Sequence, residues 1–165
     1  MRKIVGILVT LMWLGCAQAA ERAGAHGDAA VIAMAEAYLE AYSSLDIGKL
    51  EKYYDEQAVF FDPTSTSVQG IGGPFRWQGR AEILKNIRNW SKSTRSLKYV
   101  VERRFESSNY VVFVGDVYPL VISGKGDVQY KYPIITIVTI TNGRVMEHRD
   151  YTNYAAGAIV SGARP

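Results

Sequence analysis

Three residues in the second half of the chain could carry acid–base chemistry. Asp116 lies in a β-branched and aromatic run, where strand alternation would place it with Val114 and Tyr118 on one buried face. A carboxyl group in that setting needs a hydrogen-bond partner or a bound proton. His148 and Asp150 are two residues apart, so one strand face would present both to a single cavity. This grouping predicts a site for proton transfer, with the carboxylate fixing the tautomer of the imidazole.

The same residues also have structural interpretations, and a second group could bind a ligand. Asp150 could accept hydrogen bonds from backbone or tyrosine groups, and His148 could be an ordinary half-buried histidine. Asp62 is a candidate ligand contact, but a residue directly before a proline, here Pro63, more often ends a strand or caps a turn. One histidine among scattered carboxylates is a poor ligand set, so we expect no metal site. The aromatic residues with polar tips that could line a pocket are Tyr53, Trp77, Tyr118 and Tyr154.

Helices are predicted first along the chain. Apolar residues between Val31 and Leu45 recur at helical spacing behind a possible cap at Asp28. A shorter helix is expected after Asp46 and a third after Gly79. These helices supply an apolar surface that a sheet must cover.

Strands are predicted mainly in the second half. A strand at 58–61 precedes residues 63–79, whose Pro, Thr, Ser and Gly content predicts a loop at the rim of a pocket. Turn signals then separate segments rich in Val, Ile, Tyr and Thr, which predicts consecutive antiparallel hairpins. Helices followed by such a meander indicate an α+β fold with one sheet face covered by the helices. The four segments are 97–106, 110–122, 128–140 and 144–154.

The order of several short motifs resembles the nuclear transport factor 2-like superfamily, in particular its SnoaL-like and limonene-epoxide-hydrolase-like branch. The resemblance implies a cone-shaped, curved, mostly antiparallel sheet wrapped around three N-terminal helices, a cystatin-like α+β roll with an apolar pocket. Members include cyclases, isomerases, dehydratases and epoxide hydrolases, and also proteins that only bind or dimerise, so function must be argued from the site. The motifs are AYSSLD at 41–46, AVFFDP at 58–63, GRAEI at 79–83 and GRVMEHRDY at 143–151.

The epoxide-hydrolase members provide a residue-by-residue comparison. They use two aspartates joined by an arginine, with a tyrosine and an asparagine that hold the attacking water. Asp150 and Asp116 match the aspartates, but Val114 occupies the arginine position, and Phe60 and Asp62 occupy the water-holding positions. These departures disfavour epoxide hydrolysis. Two carboxylates in one pocket without the cation would repel each other, so one of them would be neutral. Proton-transfer chemistry such as isomerisation, dehydration or aldol-type cyclisation stays compatible.

Composition and the first residues bear on location. The 165 residues include 19 Lys+Arg and 16 Asp+Glu, without the basic clusters of a nucleic-acid-binding face. Residues 1–19 have a basic start, an apolar run and an Ala-Gln-Ala ending, which predicts an export signal cleaved before Ala20. That run is shorter than the about 20 residues that span a bilayer, and no later segment predicts a transmembrane helix. Lipidation of Cys16, the only cysteine, is the alternative.

Two function classes follow from these observations. The first is an exported, cofactor-independent isomerase, lyase or cyclase that acts on a small hydrophobic, polyketide-like or steroid-like molecule. The second is a non-catalytic ligand-binding or dimerisation module of the same fold. The resemblance also implies a homodimer, which the apolar run at 134–140 supports because it is apolar at odd and even positions. The expected organisation is a signal peptide at 1–19, a flexible tail at 20–28, one SnoaL-like domain at 29–155 and a C-terminal tail at 156–165.

Overall fold

A computed structural model describes residues 28–67 and 72–161 of the chain. The expected signal peptide, the tail that follows it up to residue 27, and the alternative lipidation site at Cys16 lie outside the described residues. In the part of the chain that is described, no helix has the length and apolar content needed to cross a membrane.

The predicted helices are confirmed. Asp28 caps the first helix by accepting a hydrogen bond from the N–H of Ala30, and Asp46 caps the second through the N–H of Gly48. The third follows Gly79, whose φ of 87° lies in the region that favours glycine. The helices are α1 (Ala29–Ser43), α2 (Ile47–Leu50) and α3 (Arg80–Trp90).

One seven-stranded sheet contains every strand of the described residues. Its order is β2-β1-β6-β5-β4-β3, and β7 pairs with β5 outside that path. Among the described strands only β1 and β6 are parallel neighbours, so the sheet is mostly antiparallel. The sheet is curved and unclosed, which confirms the expected α+β cone. The strands are β1 (Tyr54–Asp62), β2 (Phe75–Gln78), β3 (Thr94–Ser107), β4 (Tyr110–Val121), β5 (Val128–Thr141), β6 (Arg144–Thr152) and β7 (Ala158–Ser161).

Two segments differ from the sequence-based expectation. The predicted loop at 63–79 contains a 3-10 turn (Pro63–Ser67) and the short strand β2, which pairs with β1. The expected tail at 156–165 contributes β7, whose backbone pairs with β5. Both strands have only four residues, too few for an alternating pattern to stand out from neighbouring Gly and Pro.

The core lies between the helices and the inner face of the sheet. Tyr38 and Tyr42 of α1 are fully buried and meet Val111 and Val138 from the central strands within one hydrophobic cluster. The pairing register between β5 and β6 shifts directly after Thr139 of β5. Around this irregularity β6 buries Val145 and His148, three residues apart, and then Asp150 and Thr152 in strict alternation. The sheet therefore directs a histidine and an aspartate into the apolar interior.

Candidate functional site

A cavity of about 450 Å³ lies between α1, α3 and the inner face of the sheet. Much of its wall is aromatic, which suits a small organic ligand. The rings of Phe60 and Trp77 stack with centroids 4.5 Å apart, and Trp77 also stacks on Phe75 at 5.7 Å. Further aromatic lining residues are Tyr42, Trp90, Tyr99, Tyr132 and Tyr154.

Asp150 places a carboxylate in this aromatic wall. Its side chain is about 7% exposed, and it lines the cavity from β6. Oδ1 accepts a hydrogen bond from the hydroxyl of Thr136 at 2.5 Å. Oδ2 lies 3.0 Å from Nε2 of His148, although the alignment of the two atoms is not that of a hydrogen bond. The carboxylate is therefore held by two neighbours and also borders the cavity, so it can contact a ligand.

A buried chain of hydroxyl groups continues behind His148. The histidine is completely buried, and its Nδ1 lies 2.6 Å from the hydroxyl of Tyr38. The Tyr38 hydroxyl also lies 2.5 Å from that of Tyr54. Burial raises the pKa of both phenols, so each hydroxyl keeps its proton at neutral pH. The chain connects the cavity carboxylate to the centre of the core without reaching solvent.

Asp62 lines the cavity but has several protein partners. Its Oδ1 accepts hydrogen bonds from the backbone N–H groups of Thr64 and Ser65, which lie in the 3-10 turn after β1. Its Oδ2 accepts the hydroxyl of Tyr154 at 2.6 Å. Burial, together with that hydrogen bond, raises the pKa of Tyr154. The hydrogen bonds to Oδ1 are those of a turn-capping residue. Tyr154, which donates to Oδ2, also lines the cavity.

Tyr42 is a buried phenol whose oxygen has no hydrogen-bond partner among the described residues. It is 1% exposed and lines the cavity from α1. Burial, together with nearby Tyr99 and Asp150, raises its pKa. A buried hydroxyl without a partner costs free energy, so a ligand acceptor group at this position would recover part of that cost.

Asp116 is not in the cavity, and the prediction that it faces the interior is wrong. Val117 lines the cavity, so its neighbour Asp116 points to the outer face of the sheet, where it pairs with Lys131 at 2.8 Å. Tyr118, predicted as a lining residue, is likewise absent from the cavity wall, and its ring lies 6.0 Å from the Lys131 ammonium. Since Asp116 and Asp150 do not share a pocket, the argument from carboxylate repulsion does not apply.

The remaining predicted residues divide into two groups. Tyr53 does not line the cavity; its ring packs edge-on against Tyr38 at 5.9 Å. His148 lies directly behind Asp150 instead of in the wall. Thus the structure brings together Asp62, Trp77, Asp150 and Tyr154 at the cavity, backed by His148.

Several residues of the site are missing from the sequence-based prediction. Tyr38 and Tyr42 are four residues apart on one face of α1, a spacing that indicates core packing without revealing a polar role. Thr136 and Tyr99 come from strands whose register with β6 follows only from the assembled sheet. In the described ranges no three His, Cys, Asp or Glu side chains come together to form a metal-binding group.

Comparison with known proteins agrees with this architecture. Residues 35–148 match the family model of the SnoaL-like domain, and the chain belongs to this family. A search of curated proteins finds no match. Among solved structures, a protein from Shewanella denitrificans described as a SnoaL-like polyketide cyclase superposes with a TM-score of 0.67 at 20% identity, covering 78% of this chain and 93% of that one.

Two further structures share the fold at low identity. TerC, co-crystallised with polyporic acid, has a TM-score of 0.62 and 17% identity, with 78% of this chain and 95% of that one covered. An LEH-like epoxide hydrolase from M. tuberculosis has a TM-score of 0.58 and 16% identity, with coverages of 76% and 84%. At these identities the likeness establishes the fold, and the site must supply the argument for function.

Proposed function

We propose that the protein binds a small, largely apolar molecule in the aromatic cavity and that Asp150 contacts a polar group of that molecule. The observation that carries this proposal is a carboxylate that borders an apolar cavity of about 450 Å³ and is held in place by Thr136 and His148. Stacked Phe60 and Trp77 offer a flat surface to a ring system. The co-crystallisation of TerC with polyporic acid supports an organic ligand in this fold.

Calorimetric titration with 2-naphthol tests the binding. Val117→Trp fills the cavity and should abolish binding, whereas Val114→Trp, on the outer side of the same strand, should leave it unchanged. Asp150→Asn should weaken binding by about tenfold, or about 1.4 kcal/mol. Circular dichroism checks that each variant is folded. Binding that survives Val117→Trp but is lost in Val114→Trp would place the ligand on the outer face and contradict the proposal.

We propose further that Asp150 is the base of a cofactor-independent proton transfer. The carboxylate would take a proton from a carbon beside a ligand carbonyl while the C–H electron pair moves to the carbonyl oxygen, giving an enolate. Tyr42 lines the same cavity, and its buried, unpaired hydroxyl supports this proposal because it could donate to the developing oxyanion of a ligand that reaches it. Return of the proton to another carbon would complete an isomerisation, and attack by the enolate on a second carbonyl would give a cyclisation.

Hydrogen–deuterium exchange of 2-tetralone in D₂O tests this step. NMR should show exchange at the carbon beside the carbonyl faster than in buffer, and Asp150→Asn should reduce it to the buffer rate. Asp116→Asn is the control, since that carboxylate lies on the other face. If the ketone binds and wild-type protein exchanges no faster than buffer, the proton-transfer proposal is contradicted and the alternative, a non-catalytic binding module, is favoured.

We propose that the protein is exported and cleaved before Ala20. The basic start and the apolar run of residues 1–19 support this proposal. Intact mass spectrometry of protein recovered from its native host should give a chain that starts at Ala20. A mass that includes residues 1–19, or a lipid adduct at Cys16, would contradict it.

We also propose that two copies associate through the outer face of the sheet. Phe105 is 54% exposed, and Tyr110 and Ile135 are also exposed apolar residues of this outer face. Light scattering at about 10 µM should give the mass of a dimer. Phe105→Glu should give the monomer, whereas Lys125→Glu, in a turn, should not. A wild-type monomer at that concentration would contradict this proposal.

A further inference from the structure

Two buried hydrogen bonds and one charge contact form a polar chain behind Asp150, and counting its protons gives the chain a direction. Four side chains take part in sequence: Tyr54, Tyr38, His148 and Asp150. The hydroxyl–hydroxyl distance is 2.5 Å, the Tyr38 hydroxyl lies 2.6 Å from Nδ1, and Nε2 lies 3.0 Å from the carboxylate. The Tyr38 hydroxyl contacts both Tyr54 and Nδ1 but has only one proton to donate. It must therefore accept a proton in one of the two contacts, either from Tyr54 or from Nδ1.

The first arrangement runs toward the cavity. Tyr54 donates to the oxygen of Tyr38, Tyr38 donates to Nδ1, and the remaining ring proton sits on Nε2 facing Asp150. Each tyrosine hydroxyl then donates its proton to one acceptor. The carboxylate faces the partial positive charge of the Nε2–H group. Thr136 adds a second donor on the other carboxylate oxygen. Both hydrogen bonds of Tyr38 are then filled, and the contact between Nε2 and the carboxylate, although not aligned as a hydrogen bond, is electrostatically attractive.

The opposite arrangement leaves two groups unsatisfied. If Nδ1 carries the proton and donates to Tyr38, then Tyr38 must donate to Tyr54. The proton of Tyr54 then has no acceptor among the described residues, and the bare Nε2 lone pair faces a carboxylate at 3.0 Å. A doubly protonated ring removes the repulsion between Nε2 and the carboxylate, but the proton of Tyr54 still has no acceptor among the described residues. Unsatisfied polar groups in a fully buried cluster are costly, which disfavours both alternatives.

We infer that Tyr38 and Tyr54 are positioning residues that hold His148 as the neutral tautomer protonated at Nε2, so that Asp150 faces the cavity only as a hydrogen-bond acceptor. His148 cannot then take a proton from Asp150 through Nε2, which already carries one. The histidine therefore positions the carboxylate and does not relay its proton.

A preference among ligands follows, and this part rests on the proposed binding function. An acceptor-only carboxylate in an aromatic cavity selects an apolar molecule that presents an O–H, an N–H or an acidic C–H. An otherwise similar molecule without that proton would leave the carboxylate desolvated without a partner. The ligand class is thus a ring compound with a proton donor at its edge, such as a phenol or an enolisable ketone.

NMR of the histidine ring nitrogens tests the direction of the chain without any ligand. The chain has two histidines, and His26→Gln leaves the signals of His148 alone in ¹⁵N-histidine-labelled protein. At neutral pH we expect a protonated, pyrrole-type Nε2 and an unprotonated Nδ1. A protonated Nδ1, alone or together with Nε2, would overturn the inference.

Two phenylalanine variants test the role of the tyrosines. Tyr38→Phe removes the donor to Nδ1, so the Nδ1 signal should move toward the shift of a free, pyridine-type nitrogen while Nε2 stays protonated. Tyr54→Phe keeps that donor and should move the signal less. A purely structural role would leave the Nδ1 shift unchanged in a folded Tyr38→Phe protein, and backbone amide spectra check the fold. An unchanged Nδ1 shift in that protein would overturn the assignment of Tyr38.

Calorimetry with 2-naphthol and 2-methoxynaphthalene tests the preference. We expect the hydroxyl compound to bind wild-type protein at least about tenfold more tightly, and Asp150→Asn to remove most of that difference. Equal affinities for wild-type protein would overturn the preference. If neither compound binds, the proposed binding function fails, whereas the ring-nitrogen spectrum still decides the direction of the chain.

Discussion

Tyr38 and Tyr42 allow a direct comparison of a partnered and an unpartnered buried hydroxyl. They lie one helical turn apart on α1, and both are fully buried. The Tyr38 oxygen contacts Tyr54 and His148 at 2.5 and 2.6 Å, whereas the Tyr42 oxygen has no partner in the described part of the chain. Replacing either residue by phenylalanine removes one oxygen atom and leaves the packed ring.

The expected effects on the free energy of unfolding differ in size. Tyr38→Phe leaves two buried groups without their partner, and each such loss costs about 1–3 kcal/mol, with some relief where Tyr54 can reorient. We therefore expect a destabilisation of about 2–4 kcal/mol. Tyr42→Phe removes a hydroxyl that was already unsatisfied, so its effect should lie within about 0.5 kcal/mol of zero or be slightly stabilising.

Urea unfolding measures both variants. With a slope of about 2 kcal/mol per molar, Tyr38→Phe should lower the midpoint by about 1–2 M at an unchanged slope, and Tyr42→Phe should leave it nearly unchanged. Equal losses in the two variants would refute the reasoning, because the cost would then reflect packing of the ring and not the hydrogen-bond chain.

Three further outcomes are expected. Gly115→Ala should destabilise the protein by about 3 kcal/mol in urea unfolding, because a Cβ there would overlap the carbonyl oxygen of Val100. Gly124→Ala is the control, since a Cβ there meets open space and should be neutral. Similar unfolding midpoints for the two variants would contradict this prediction. Asp116→Asn should cost less than about 1 kcal/mol, since the side chain of its partner Lys131 is 40% exposed and solvent screens the ion pair. A larger loss on chemical denaturation would show that the mostly buried carboxylate depends on this pair. The free energy of unfolding should fall above about pH 10, because burial raises the pKa of several phenols and the unfolded chain then releases protons that the folded chain retains. A urea midpoint that stays constant while exposed tyrosines ionise would contradict this prediction.

The fold was largely predictable because its elements carry local signals. The apolar stripe of α1 and the turn residues between the long hairpins predict most of the topology. The short strand β2 was missed, since Phe75 and Trp77 sit among glycines and a proline that indicate a loop. Its pairing with β1 depends on a partner distant in sequence.

The site was only partly predictable because strand alternation does not say which face is inside. On β4 both alternating sets are apolar: Val111 and Phe113 face the core, whereas Val112 and Val114 share the outer face with Asp116. Asp116 is buried at 9% exposure, as its apolar neighbours indicate, but it lies on the outer face, which those neighbours do not reveal. On β6 strand alternation places His148 and Asp150 on one face, and the structure buries both of them.

The buried polar chain behind Asp150 has no signal in the sequence. Tyr38 comes from α1, Tyr54 from the start of β1 and Thr136 from β5, and their distances depend on the packing of the helix against the sheet. Each of them fits an ordinary core or strand position by residue type. Only the assembled fold shows that their polar atoms meet.

A crystal structure of the protein saturated with 2-naphthol is the most direct test of the central claim. The account predicts the ring system against Phe60 and Trp77, with its hydroxyl within hydrogen-bond distance of a carboxylate oxygen of Asp150. A naphthol bound instead on the outer face near Asp116, with the aromatic cavity holding only solvent, would contradict it.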